Sequence, residues 1–173
     1  MTQNVEKSGI RWLWLTMLIL LLDQASKYWV VEGFELHQSI EVYSFFNFTY
    51  ARNYGAAFSF LGDAGGWQRY LFTAIAVLVS AFLVHSLYKN RVTKSRENIA
   101  FALILAGALG NLVDRLMFGY VVDFLDFDLG FYRWPTFNVA DISIFIGAAL
   151  LILDGIFNAS AASIKEEKEN EHH

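Results

Sequence analysis

Four apolar stretches divide the chain, at residues 10–31, 67–88, 98–118 and 138–157. Each is close to the roughly 20 residues that a helix needs to cross a bilayer. Hydrocarbon offers no partner to a backbone N–H or C=O, so segments of this length must close their hydrogen bonds internally as helices. Aromatic side chains stand where interfacial anchors belong. Trp12 and Trp14 open the first stretch, Tyr28 and Trp29 close it, and Trp67 and Tyr70 open the second. Lys7 and Arg11 ahead of an apolar run give the outline of a signal peptide. The run is too long for one and no small-x-small site ends it, so a retained helix is expected.

Composition agrees. The chain of 173 residues is 55% hydrophobic and only 17% charged, against roughly 25% charged in soluble domains. One Pro and 12 Gly leave little room for a linker, so residues 1–173 are expected to form a single integral membrane domain, mainly α. The formal charge of -4 comes with no basic patch interleaved with aromatics, which argues against a nucleic-acid partner. The absence of Cys excludes disulfides, thiolate metal sites and a cysteine nucleophile.

Lys and Arg set the expected orientation. Lys89, Arg91, Lys94 and Arg96 lie between the second and third stretches, Lys7 and Arg11 precede the first, and Lys165 and Lys168 follow the last. Between the first two stretches, Arg52 is the only basic residue away from the membrane ends. Both termini and the 89–97 loop are therefore read as cytoplasmic, and residues 32–66 and 119–137 as outside. The outer segments carry structure of their own. Residues 46–52 alternate at the strand period, residues 39–43 do so more weakly, and residues 124–129 supply a candidate third strand. A small antiparallel sheet on the outer surface is expected. Residues 56–61 read as a short interfacial helix or flap, with the glycine-rich 62–66 as its hinge.

Polar residues within these stretches require an explanation, because charge in a bilayer is costly and is usually retained for function. At helical rise Asp23 lies about 20 Å beyond Ile10, and Asp114 about 22 Å beyond Ile99. Asp141 lies within about one turn of the outer end of the last stretch, and Asp123 follows five residues after the third, on the expected connecting loop. Four carboxylates thus gather near one level. Asp23 and Lys27 have the i, i+4 spacing of a helical ion pair, which lets the first stretch neutralise its own charge. Asn111, Asp114 and Arg115 share one helical face, with Gly107 one turn below. Ala106 and Gly110 permit close helix contact. That face reads equally as a polar packing seam and as a substrate contact. Asp154, at the far end of the last stretch, reads as an interfacial residue. His37 and His85 fall on opposite sides, so a Ser-His-Asp triad is not expected, and no H-E-x-x-H or His/carboxylate cluster marks a zinc site.

Five blocks then carry a resemblance over nearly the whole chain: Asp23-Gln-Ala-Ser-Lys27, Arg52-Asn-Tyr-Gly-Ala-Ala-Phe-Ser-Phe60, Gly107-Ala-Leu-Gly-Asn-Leu-Val-Asp-Arg115, Val121-Val-Asp-Phe124 and Phe137-Asn-Val-Ala-Asp141. In order and spacing the chain resembles the bacterial lipoprotein signal peptidases, the signal peptidase II family. The resemblance implies a four-helix membrane aspartic protease with an outer sheet and flap, in the bacterial cytoplasmic (inner) membrane. It implies Asp123 and Asp141 as the catalytic pair, and Asn53, Asn111, Arg115 and Asn138 as substrate-binding groups. Asp23, Lys27, Asp114 and Gly107 become structural supports. The implied substrates are prolipoproteins whose Cys carries a diacylglyceryl group, met in membrane lipid and cleaved just before that Cys. No metal or cofactor is implied, and nothing in the sequence requires more than a monomer. The competing reading from the residues alone is a proton-coupled membrane transporter. It would spread its acids across the bilayer depth and show an inverted repeat. A non-catalytic membrane scaffold would explain Gly107 and Gly110 but not the paired acids.

Overall fold

The computed structural model describes residues 8–55 and 65–170. A 3-10 turn, Gly9–Trp12, leads into α1, Leu13–Gly33. There follow β1, Ser39–Tyr43; β2, Phe46–Asn53; α2, Gln68–Lys89; α3, Ser95–Met117; β3, Val121–Phe127; and α4, Val139–Asn170. The chain is therefore mainly helical with one small sheet, in the antiparallel order β1-β2-β3. Residues 56–61, expected as a flap, and the hinge up to residue 64 lie outside the described residues. Gly65 and Gly66, at the end of that hinge, have φ of 80° and 96°.

α3 is the central helix, packed against α1, α2 and α4. Its buried face is rich in small residues, among them Ala102, Ala106, Gly107 and Gly110. Large apolar side chains point the other way across the bundle: Leu21, Leu78, Phe82, Phe145 and Ile152 are all exposed. Small and polar groups inside with leucine and phenylalanine outside is the arrangement expected where the surroundings are lipid, since helix association there depends on close packing. Three helical segments, Gln68–Lys89, Ser95–Met117 and Val139–Phe157, are long and apolar enough to cross a membrane. α1 has the length, at 21 residues, but carries Asp23, Lys27 and Glu32.

At one end of the bundle the start of the chain meets the α2–α3 loop. The Gly9 N–H donates to the Asn90 carbonyl at 2.8 Å, and the Ser8 hydroxyl donates to the Leu87 carbonyl at 3.1 Å. The start of α1 and the basic α2–α3 loop thus lie at the same end of the bundle. At the other end Val30 and Phe34 of α1 form a core with Tyr50, Val122 and Phe124 of the sheet.

β3 departs from the expectation. It starts at Val121 rather than at residue 124, so Asp123 lies on a strand and not on a loop. The cause is local. Gly119, at φ 86°, turns the chain directly after α3, and Val121 and Val122 then pair with Asn53 and Arg52. β-branched residues suit that pleated, half-buried surface.

α3 and α4 approach closely enough to exclude side chains. A Cβ at Gly107 would collide with the Ala140 carbonyl oxygen and the Ile144 side chain, and one at Gly147 would lie 2.7 Å from the Ala100 carbonyl oxygen. Backbone cannot yield as a flexible side chain can. Gly107→Val should therefore destabilise the protein by about 1–3 kcal/mol. Gly155→Ala, with nothing within 4 Å of the new Cβ, should be neutral or stabilising by up to about 1 kcal/mol. Thermal melts in detergent compare the two, and equal melting temperatures for both variants would contradict this packing.

Candidate active site

The ionic centre of the molecule is Lys27. Its ammonium lies 2.9 Å from Asp23 and 3.0 Å from Asp114, and all three side chains are buried. Gln24 extends the cluster by donating to Asp23 and Asp114, each at 3.1 Å, and to the Gly110 carbonyl at 3.2 Å. Gly110 is required here, because a Cβ would stand 2.5 Å from Asp23 Oδ2.

Each acid of this cluster also reaches a backbone N–H outside its own helix. Asp23 Oδ1 accepts from Ala140 at 2.8 Å, next to Asp141. Asp114 Oδ2 accepts from Val122 at 3.0 Å, next to Asp123. The two residues flanking the expected catalytic pair are thus tied to one buried lysine. The first N–H groups of a helix lack partners within it, and a carboxylate there also complements the helix dipole.

Asparagine side chains connect the pair itself. Asn138 precedes α4, and its Oδ1 accepts from the Asp141 N–H at 2.9 Å, an N-cap contact. Its Nδ2 donates to Asp123 Oδ1 at 2.7 Å and to the Val122 carbonyl at 3.2 Å. Asn53 Nδ2 donates to Asp123 Oδ2 at 3.0 Å, and Asn111 Nδ2 donates to Asp141 Oδ1 at 2.8 Å. Asn111 has its amide fixed from behind. Lys27 donates to its Oδ1 at 3.1 Å, and since an ammonium has no acceptor, the oxygen must face it. The NH2 group is left for Asp141.

Arg115, also buried, donates to the Asn111 carbonyl at 3.3 Å and to the Gly55 carbonyl at 2.9 Å. Its guanidinium lies 5.3 Å from the Phe72 ring centroid. Asp154 lies by the α2–α3 loop, in a recess with Thr93, Lys94 and Glu97, away from this cluster. Among the described residues no three or more His, Cys, Asp or Glu side chains are grouped to hold a metal ion.

The structure brings together the residues expected at the site: Asp123 and Asp141, the three asparagines and Arg115, with Asp23, Lys27, Asp114 and Gly107 beneath; Asp154, read as interfacial, lies apart. The acids do not string out across the depth of the bundle as the transporter reading requires. Gln24 and Phe72 had no role in the sequence reading. Gln24 had one usable signal, its position beside Asp23 in a helix that must bury its charge.

A family model described as Signal peptidase (SPase) II, Peptidase_A8, matches residues 15–157. The chain belongs to the signal peptidase II family. It is 63% identical over 172 residues to a protein of Psychromonas ingrahamii named lipoprotein signal peptidase, covering 99% of each chain. A Shewanella amazonensis protein of the same name is 53% identical, covering 98% of this chain and all of the relative. Among solved structures, a bacterial membrane enzyme determined by the in meso method superposes with a TM-score of 0.79 at 32% identity, over 87% of this chain and 90% of that one. Family membership and the apolar helices together make this a multi-pass membrane protein, and a peptidase.

Asp123 has an environment suited to holding a proton. Burial, and then the negative charge of Asp141, lift its carboxyl group to about 7 against the lowering effect of the Asn53 and Asn138 amides. An unfolded chain releases the same proton near pH 3.9. Between about pH 4 and 7 the folded state therefore binds a proton that the unfolded state has lost. The stability from that proton is complete below about pH 4 and is lost as pH rises through about 7. The melting temperature should fall between about pH 5 and pH 8, and Asp123→Asn should flatten that slope. Identical slopes in the two proteins would contradict the assignment.

Proposed function

We propose that this protein is a membrane aspartic endopeptidase that removes signal peptides from prolipoproteins, cleaving before a diacylglyceryl-modified Cys. The observation that carries the reading is the pairing of Asp123 and Asp141. The two are joined through Asn138 at the mouth of a helical bundle, in a chain of the signal peptidase II family. Two close carboxyl groups do not both ionise readily, so the pair holds one proton. Asp123, lifted to about 7, is assigned that proton. Asp141 is assigned the role of base, in the first turn of α4, where the helix dipole favours negative charge.

In this scheme Asp141 takes a proton from water while Asp123 donates a hydrogen bond to the scissile carbonyl. Water oxygen bonds to the carbonyl carbon, giving a tetrahedral intermediate. A proton then passes to the amine of the modified Cys and the C–N bond breaks. The scheme needs no metal or cofactor. Asn53, Asn111 and Asn138 hold the pair in register and, with Arg115, border the place where the substrate backbone lies.

The same reading includes α1 as a fourth span, in one domain acting as a monomer. Both termini and the 89–97 loop face the cytoplasm, and the site opens near the outer face of the bacterial inner membrane. A cleft at that level suits a substrate with an apolar signal helix, a diacyl anchor and a polar mature chain. The transporter reading gains no specific support.

Asp123→Asn and Asp141→Asn should each lower cleavage of a lipidated precursor by about a thousandfold or more, the scale of a lost acid or base. The double variant should be no worse, because the two act as a unit. Asp154→Asn should stay near normal. Unlipidated precursor should be cleaved far more slowly than lipidated by the unaltered protein. Substantial turnover by a well-folded single variant would overturn the mechanism, and equal rates on both precursors would remove the lipid from recognition.

A further inference from the structure

Two arginines outside the active site carry charge that no carboxylate among the described residues balances. Arg52 and Arg69 form no ion pair among the described residues. Both pack on the segment that leaves α3. The exposed Arg52 guanidinium lies 4.7 Å from the centroid of the Tyr120 ring and 5.7 Å from that of Tyr50, and its Nε donates to the Tyr50 hydroxyl at 3.3 Å. Arg69 Nη2 donates to the Leu116 carbonyl at 3.1 Å. Its Nη1 lies against Gly119, where an added Cβ would stand 3.2 Å away. Aromatic contacts pack the corner, with Phe118 stacked on Tyr120 and Tyr54 meeting Tyr120 edge-on.

The surroundings point to the kind of partner. Leu116, Met117 and Phe118 are exposed at 58%, 67% and 46%, at the end of a helix apolar enough to cross a membrane. Side chains of that kind belong in hydrocarbon, and guanidiniums packed on the turn just after them, at Gly119 and Tyr120, belong at headgroup level. The register of β2 with β3 places Arg52 beside Val122, and Asn53 and Asp123 on the opposite face. Arg52 therefore looks away from the catalytic pair, toward the flank of the bundle. Its planar fork matches a phosphodiester in geometry and charge.

We propose that Arg52 and Arg69 form a headgroup site for a glycerophospholipid, with preference for an anionic one, on the outer shoulder of α3. A lipid phosphate there anchors β2 through Arg52, one residue from the Asn53 that holds Asp123. The continuity of the charged pair with the exposed apolar corner favours a lipid over a soluble anion or a polypeptide. The proposal depends on α2 and α3 spanning the membrane but not on proteolysis, and its readout is independent of cleavage.

The test is native mass spectrometry of the purified full-length protein from detergent micelles holding equal amounts of dioleoyl phosphatidylglycerol and dioleoyl phosphatidylcholine. The unaltered protein should retain phosphatidylglycerol in preference. Arg52→Gln should weaken that retention about tenfold, the scale of losing charge-assisted hydrogen bonds. Lys89→Gln, at the opposite end of the bundle, should leave it unchanged. Equal retention of the two lipids by the unaltered protein overturns the proposal whether or not Arg52→Gln folds. Undiminished retention by a folded Arg52→Gln does so too, and full displacement of the lipid by millimolar inorganic phosphate marks an anion site rather than a lipid one.

Discussion

A single buried ammonium between two buried carboxylates is what the rest of this fold depends on. Lys27, Asp23 and Asp114 sit within helices whose outer surfaces are leucine and phenylalanine, and none of them reaches solvent. Each charge alone would carry a large desolvation cost, which only mutual pairing and further hydrogen bonds offset. Those further bonds are where stability becomes function. The other oxygen of Asp23 accepts from Ala140, the neighbour of Asp141; Asp114 Oδ2, which also meets Lys27, accepts from Val122, the neighbour of Asp123; and Lys27 donates in addition to Asn111. The cluster thus fixes the backbone on one side of each carboxyl proposed as catalytic, and the amide that faces one of them.

Close packing makes this arrangement possible. Asp23 can lie against α3 because Gly110 has no side chain, and α4 can approach α3 because Gly107 and Gly147 have none. The sheet provides the remaining constraint. Its core of Tyr50, Val122 and Phe124 closes over Val30 and Phe34, and pairing between β2 and β3 brings Asn53 to Asp123. Helices set the position of Asp141 and the sheet sets that of Asp123. Asn138 joins the two with one amide, its oxygen toward one residue and its nitrogen toward the other.

Much of this could be read from the sequence, for identifiable reasons. The extents of α1 to α3 followed from apolar runs, because lipid imposes a length; α4 continues to Asn170, past the end of its apolar stretch at residue 157. β1 and β2 followed from the alternation of apolar and polar residues, although every residue of β1 is exposed. Asp23 and Lys27 declared their pairing through i, i+4 spacing. The start of β3 was not legible. Val121 and Val122 gave too short a run, and their strand conformation depends on pairing with Arg52 and Asn53 far away in the chain. The bonds from Asp23 to Ala140 and from Asp114 to Val122 were hidden for the same reason, since backbone N–H groups look alike in every sequence. Asn138 read as a substrate contact by resemblance, whereas its amide in this structure is occupied by Asp123, Val122 and the Asp141 N–H. The five blocks of resemblance marked these residues without revealing how they divide the work.

The most direct test of this account is the coupling free energy between Lys27 and its acids, from a cycle of Lys27→Met, Asp114→Asn and the double variant unfolded in detergent. Lys27→Met alone should cost about 3–5 kcal/mol, because it leaves two carboxylates buried without a counter-charge. Adding Asp114→Asn should restore part of that loss, giving a coupling of at least about 1 kcal/mol, as expected for residues in direct contact. Additive effects, or a Lys27→Met protein as stable as the original, would contradict the claim that this ion cluster holds the site together.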